Sequence, residues 1–265
     1  MITLLIDFDS IIYKSVYKVV SINEMRNALL SMSKADAKQW FLSEVYEQSI
    51  NRCENEILKM QNHISEIFFS DITATELFIT TCKNSFRKEL TQTYKANRKK
   101  RNPYVNMIRS HYEYNDAFHS DTLEADDLIA MRVEELGREN CIIASLDKDL
   151  RTIGGFLWSY QKVAETDLNG EIVLNEYGNK EMTFKYNEVE WITPQMASYY
   201  FWIQMLMGDA GDGISGLKKV GIKTAEKILS DSSNYFVRTA REYISRGQKQ
   251  DFWTNYKLLK LGQNE

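Results

Sequence analysis

The chain has 265 residues, of which 43% are hydrophobic and 26% charged, and its formal net charge is −4. That length allows one large or two modest domains with a core needing no covalent staples, and the composition excludes a disordered or fibrous chain. Cys53, Cys82 and Cys141 make neither a disulfide framework nor a CxxC metal site, which fits a reducing compartment. No apolar run reaches the ~18 residues of a membrane span, and the run at 2–6 is too short for a secretory signal. A soluble, cytoplasmic protein without membrane partners is expected.

Residues 2–6 form a β-type apolar run that stops at two acids. Ser10 is placed to cap a following helix whose apolar face is Ile11, Ile12, Val16 and Val19. Residues 34–64 carry apolar side chains at helical spacing and read as one or two helices. A second strand is expected at 76–80, a basic segment after it, and a helix near 104–114. Residues 122–136 read as a helix capped by Asp121 or Thr122, facing the core with Leu123, Ile129, Val133 and Leu136 and ended by Gly137. Strands are expected at 141–145 and 156–160, and a polar hairpin at 167–186 with turns at Asn169-Gly170 and Tyr177-Gly178. Thr193-Pro194 starts a wholly helical remainder. Strands separated by helices predict an α/β fold with a mostly parallel twisted sheet. A soft boundary near 190 divides 1–190, carrying the sheet, from a helical region at 191–265.

Four acidic groups are candidates for chemistry: Asp7 and Asp9 after the first strand, Glu124, Asp126 and Asp127 opening a helix, Asp147 and Asp149 after the third strand, and Asp209 and Asp212 in a Gly-rich loop. Each alone has a plain explanation as a cap, a turn or a dipole-favoured first turn. Together they repel unless a cation intervenes. Hard divalent ions take oxygen ligands, and a pair of them clamps both oxygens of a phosphoryl displacement. His63, His111 and His119 lack zinc spacing and read as surface or structural residues. The segment around Lys95, Arg98, Lys99, Lys100 and Arg101, with Tyr94 and Tyr104 beside it, suits phosphates and unpaired bases, or else a solvated helix face. A Gly turn at Gly216 and Gly221 feeds a helix with Lys218, Lys219, Lys223 and Lys227. Ile222 breaks the Walker spacing and no strand precedes it, so an anion held by free backbone N–H groups is the functional reading and a plain helix–turn–helix the bland one.

The stretches LLIDFD, FRKELTQTYKANRK, LEADDLIA, IIASLDKDLRTI with FLW, and GDAGDGISG resemble, in this order, the flap endonuclease and 5′→3′ exonuclease family. The match is nearest its bacteriophage branch, whose nucleases also show ribonuclease H-type activity. The resemblance implies a PIN-like 5′-nuclease core with a basic gateway at about 94–117, and a helix–three-turn–helix in the C-terminal region. It implies a metal-dependent phosphodiesterase acting on DNA with 5′ ends or flaps, and on RNA–DNA hybrids, in phage replication and primer removal. The setting would be the host cytoplasm. By position, Asp7, Glu124, Asp126 and Asp127 match the first metal group, with Asp9 nearby; Asp147, Asp149, Asp209 and Asp212 match the remaining acids. Lys95 and Arg98 match the gateway cations facing the scissile phosphate. Asp7, Glu124, Asp126 and Asp147 join them as catalytic candidates. Tyr94, Lys99, Lys100, Arg101, Gly216, Lys218, Lys219, Gly221, Lys223 and Lys227 are the DNA-contact candidates. Mg²⁺, two ions with Mn²⁺ as a substitute, is the implied cofactor, a monomer the implied state, and replication proteins the implied partners.

Two departures from the family pattern stand out. No acid follows the second strand, where Thr81 and Cys82 stand, and Asp9 is the candidate to compensate. Lys219 replaces the first Gly of the hairpin, which puts the family's K⁺ site in doubt. Two rival readings are a DNA-binding homologue with a weakened catalytic site and a haloacid-dehalogenase-type phosphatase, the latter from LLIDFDS and GDAGD.

Overall fold

A computed structural model describes residues 2–20, 22–68, 72–82, 84–98, 102–115, 117–174, 180–230 and 234–262. The chain opens with β1 (Ile2–Asp7) and α1 (Asp9–Val19), then α2 (Ile22–Ser31), α3 (Lys34–Phe41), a π-helical turn (Leu42–Tyr46) and the long α4 (Glu47–Phe68). There follow β2 (Ile72–Phe78), the short α5 (Phe86–Leu90), α6 (Pro103–Tyr114), α7 (Ala125–Leu136), β3 (Cys141–Ser145) and a 3₁₀ turn (Lys148–Thr152). β4 (Gly155–Ala164) and β5 (Met182–Ile192) complete the sheet; α8 (Pro194–Met207), a ribbon of β6 (Gly208–Asp209) and β7 (Ile214–Ser215), α9 (Ile222–Leu229), α10 (Tyr235–Ser245) and α11 (Lys249–Leu259) follow.

The sheet order is β2-β1-β3-β4-β5, parallel throughout except that β5 runs antiparallel to β4. β1 and β3 are mostly apolar and buried because both of their faces are covered. Leu4 and Ile6 enter the core beneath α1, α4 and α6, whereas Leu5 enters the core beneath α7. This alternation carries Asp7, in register with Leu5, onto the α7 face at the strand's carboxyl end. Ile143 and Ser145 of β3 follow the same rule. A third core joins α8 to α11 and takes in Tyr94.

Several local expectations are corrected. Ser10 caps nothing: its hydroxyl donates to the Asp7 carbonyl (3.4 Å) and meets the Tyr160 hydroxyl (3.0 Å). α7 starts at Ala125, after Glu124, rather than at 122; Ser120 Oγ instead accepts the N–H groups of Thr122 and Leu123. β2 begins four residues before the apolar run suggested and stops at Phe78. The Asn169-Gly170 turn forms, Gly170 N–H donating to Asp167 O at 3.0 Å, but the pairing around it is limited to single bridges, Thr166 with Ile172 and Leu174 with Lys180. Beyond it β5 continues to Ile192, an edge strand whose polar, half-exposed pattern hid it. Tyr177-Gly178 lies outside the described residues. After Pro194 the chain is not wholly helical, since β6 and β7 interrupt it.

Candidate metal and phosphate site

The carboxyl ends of β1 and β3, the first turn of α7 and the loop after α8 meet around a cleft of about 1100 Å³. Its lining includes Asp7, Asp9, Glu124, Asp126, Asp147, Asp149, Asp209 and Asp212. Ser145 ties the two strand ends together: its hydroxyl donates to Asp7 Oδ2 (2.7 Å) and accepts the Asp147 N–H (2.9 Å). Asp147 Oδ1 in turn accepts the Asp149 N–H at 2.8 Å and so starts the 3₁₀ turn. Asp209 Oδ1 accepts the N–H groups of Gly211 (2.8 Å) and Asp212 (3.2 Å), which curls the late loop back into the cleft.

Gly208, Gly213 and Gly216 of that loop leave no room for a side chain. A Cβ on Gly216 would sit 2.1 Å from the Met207 carbonyl carbon, so this residue is a packing contact with α8. A Cβ on Gly213, at φ +74°, would sit 2.3 Å from the Thr93 carbonyl oxygen. The Lys95 N–H donates to Asp212 O at 2.8 Å, so the acidic loop is docked on the turn that carries the gateway cations.

Crowded carboxylates show in their protonation. Burial first, then Asp9 and Asp147, raise Asp7 to about 7 against the hydrogen bond from Ser145. Burial with Asp7 and Asp147 pushes Asp126 well above the usual carboxylate range. Burial, Asp147 and Asp209 raise Asp149 to about 6. Glu124 goes the other way: burial opposes its charge, but Lys95, Arg87 and Tyr94 override it and lower its pKa.

The cations are already engaged. Lys95 Nζ lies 2.5 Å from Glu124 Oε2 and 3.4 Å from Asp212 Oδ2, and Arg98 Nη2 lies 2.5 Å from Asp212 Oδ1. Lys95 adopts φ 53°, a left-handed backbone that is costly for a side chain with a Cβ. Arg109, which the sequence did not single out, reaches Asp9 Oδ1 through Nε (2.9 Å) and Nη2 (2.7 Å). Asp9 Oδ2 accepts the Thr80 N–H at 3.3 Å, beside the position that lacks an acid. Asp9 therefore arrives where compensation was expected, but bound to a guanidinium. Among the described residues, no three Asp, Glu, His or Cys side chains are already arranged to hold an ion. The donor set is nonetheless all oxygen and overcharged, which fits a hard divalent cation.

Three expectations fail here. Asp127 is 0% exposed and points away from the cleft. Its two oxygens take Arg87 Nη1 (2.5 Å) and Nη2 (2.7 Å), and also the N–H groups of Gly262 (3.2 Å) and Glu124 (3.3 Å). It is a structural anchor, not a metal ligand. Tyr94 is 4% exposed and donates to Glu124 Oε2 at 2.9 Å, so it offers no face to a base. Tyr104 is buried and stacked on Phe41, centroids 4.5 Å apart. Arg87 belongs to the FRKEL stretch, yet only the folded chain reveals its partner.

Lys218, Lys219, Lys223 and Lys227 are exposed around the turn into α9, whose first residue follows Gly221. Lys219 has φ 60°, the left-handed conformation that a Gly would take without strain. Lys99, Lys100 and Arg101 lie outside the described residues. His63 stacks on Trp158 and His111 meets the Tyr46 hydroxyl, as structural residues do. Cys53, Cys82 and Cys141 are buried and form no disulfide.

No protein-family model matches the chain. Over 190 residues it is 28% identical to the 5′-3′ exonuclease of Buchnera aphidicola subsp. Acyrthosiphon pisum, covering 67% of this chain and 60% of that protein. The chain thus spans about three fifths of the length of that curated relative. Among solved structures, the bacteriophage T5 flap endonuclease in a pseudo-enzyme-product complex with DNA and metal ions matches with a TM-score of 0.59 at 14% identity, covering 99% of this chain and 90% of that one. The T5 5′-exonuclease with bound zinc matches with a TM-score of 0.58 at 13% identity, over 99% of this chain and 90% of that one. The architecture is therefore that of the phage 5′-exonuclease fold, a mostly parallel sheet flanked by helices. The resemblance carried by the motifs holds: the chain is similar in sequence to a 5′-3′ exonuclease and shares the fold of a flap endonuclease.

Proposed function

We propose that the chain is a divalent-metal-dependent 5′ nuclease of the phage type, hydrolysing phosphodiester bonds in DNA with 5′ ends or flaps, and in RNA–DNA hybrids during primer removal. The observation that carries this reading is the convergence of Asp7, Glu124, Asp126, Asp147, Asp149, Asp209 and Asp212 in one cleft, opposite Lys95 and Arg98. Asp7, Asp126, Asp147 and Asp149 are the residues to hold Mg²⁺, with Glu124, Asp209 and Asp212 at the margin. Bound there, the metal would acidify water and stabilise charge on the phosphate.

The chain's own residues supply the rest. Lys95 and Arg98 exchange Glu124 and Asp212 for the non-bridging oxygens of the scissile phosphate. A fixed ammonium acts best where charge grows in the transition state. Ser145 keeps Asp7 and Asp147 in register, and Arg109 holds Asp9 through two nitrogens. The lysines at the entrance to α9 grip the duplex through its backbone, independent of sequence. The part of the chain from 191 onward would serve as the duplex-binding region. The phosphatase reading wants its late acids after a strand of the main sheet, whereas Asp209 and Asp212 follow α8.

Cleavage of a 5′-labelled flap duplex with and without Mg²⁺ tests the proposal. Cleavage only with metal is expected. Tight flap binding with no cleavage in Mg²⁺ or Mn²⁺ would instead support a catalytically weakened DNA-binding homologue.

A further inference from the structure

A second concavity of about 520 Å³ lies on the other side of α6 from the acidic cleft. Tyr46, Met107, His111 and Tyr114 line it, with Lys38 at its edge. Two residues, Asn106 and Ser110, line both it and the cleft. The reason is helical spacing. Asn106, Ser110 and Glu113 form one stripe of α6 facing the cleft, and Met107, His111 and Tyr114 form the adjacent stripe facing the groove. The crest between them is built from the short polar side chains of Asn106 and Ser110, which line both hollows.

The two hollows differ in chemistry. The cleft is acid-rich, but the described lining of the groove contains no Asp or Glu and includes Lys38. Its aromatic groups present both faces and edges. Tyr46 OH and His111 Nδ1 are 2.9 Å apart, which sets the two rings edge to face at 5.8 Å. Tyr114 projects with 93% of its surface exposed, an unusual cost for a large ring on a helix beside a pocket. The π-helical turn Leu42–Tyr46 delivers Tyr46 to this groove, and such single-turn insertions recur at functional sites.

We propose that this groove is a subsite for one unpaired nucleobase of the strand whose phosphate enters the acidic cleft. Tyr114 stacks on the base and Lys38 meets a neighbouring phosphate. The subsite rests on the nuclease reading and adds to it a preference for substrates with an unpaired nucleotide. Stacking on an aromatic ring is tolerant of base identity, so no sequence specificity follows. The occupant is a nucleic-acid base because the groove continues the phosphate cleft over Asn106 and Ser110.

The test uses the full chain in EDTA, so that no cleavage intervenes. Flap duplexes carry 2-aminopurine at successive flap positions, and a nicked duplex without unpaired nucleotides is the control. The wild-type chain should quench 2-aminopurine at one position. Tyr114→Ala should abolish that quenching and weaken flap binding about tenfold, or about 1.4 kcal/mol. Tyr114→Phe should retain both, and binding of the nicked duplex should not change in either variant. Unchanged quenching in Tyr114→Ala overturns the subsite. So does an equal loss on the nicked duplex, or a concentration-dependent dimer that Tyr114→Ala removes while flap binding persists. Mg²⁺-dependent cleavage, measured in parallel, judges the nuclease reading separately: flap-base binding without cleavage keeps the subsite and rejects the activity.

Discussion

Asp126 and Asp127 are adjacent in sequence, but Asp126 lines the cleft and Asp127 is buried on Arg87, so replacing each by Asn tests the proposed division of roles. Asp127 is fully buried and forms a two-pronged pair with Arg87, which is itself 1% exposed. Arg87 also donates to the carbonyls of Leu258 (2.8 Å) and Lys260 (3.1 Å), so the pair fastens the end of α11 to the sheet domain. Asp127→Asn leaves a buried guanidinium without its counter-charge. Breaking one side of such a pair costs about 3–5 kcal/mol. At ~2–4 °C per kcal/mol for a chain of this size, the apo protein should melt about 6–20 °C lower. Mg²⁺ affinity, measured by calorimetry below the melting range, should stay within about twofold of wild type. Asp126→Asn should do the reverse, abolishing Mg²⁺ binding and cleavage without loss of apo stability, because its carboxyl lies among repelling acids. Double replacement of Arg87 and Asp127 by Met and Leu should recover much of the lost stability. An Asp127→Asn chain that melts like wild type but has lost Mg²⁺ would refute the reasoning and return Asp127 to the metal site.

Three further outcomes are expected. Lys95→Ala removes the ammonium held between Glu124 and Asp212; rapid-quench cleavage at saturating enzyme should slow by about 10²–10³ while DNA affinity changes little, whereas replacing Lys99 and Lys100 should weaken binding and spare that rate. Lys219→Gly should relieve the left-handed backbone at φ 60° and raise stability by about 0.5–1 kcal/mol in urea denaturation. Its loss of a phosphate contact should make the salt slope of duplex binding shallower by about 0.9, and an unchanged slope would remove this turn from the interface. Asp7, raised from 3.8 to about 7 in the folded chain, keeps a proton there that the unfolded chain has released, so its contribution to apo stability is present below pH 4 and is lost as pH rises through 7. Asp7→Asn should flatten that decline in apo melting temperature between pH 5 and 8, and an identical decline in the variant would contradict the assignment.

The sequence by itself determined the strands that are buried on both faces. ITLLID and CIIAS are short, mostly apolar runs with acids at or just after their ends, and a parallel sheet gives such runs only one place to go. Their carboxyl ends then had to gather Asp7, Asp147 and Asp149 at one edge, and the order of the motifs was enough to relate them to the 5′ nucleases. β5 was illegible because an edge strand half open to water carries no such run. Helix periodicity placed α6 and α7 within a few residues, but not the start of α7, where Asp121 or Thr122 was expected as the cap and Glu124 holds that position.

Only the tertiary structure decided what each charge does. Asp127 became an anchor because Arg87 lies 40 residues away in sequence and in direct contact in space. Asp9 became half of an ion pair because Arg109, 100 residues on, crosses the cleft from α6. Tyr94 and Tyr104 were drawn as base-stacking rings but fold into separate cores, since an aromatic beside a basic run looks the same in sequence whether it faces water or not. Spacing along a chain reports which side chains share a face of one element. Which element that face meets depends on contacts between distant residues, and at this site those contacts separate an acid open to the cleft from one locked in a buried ion pair.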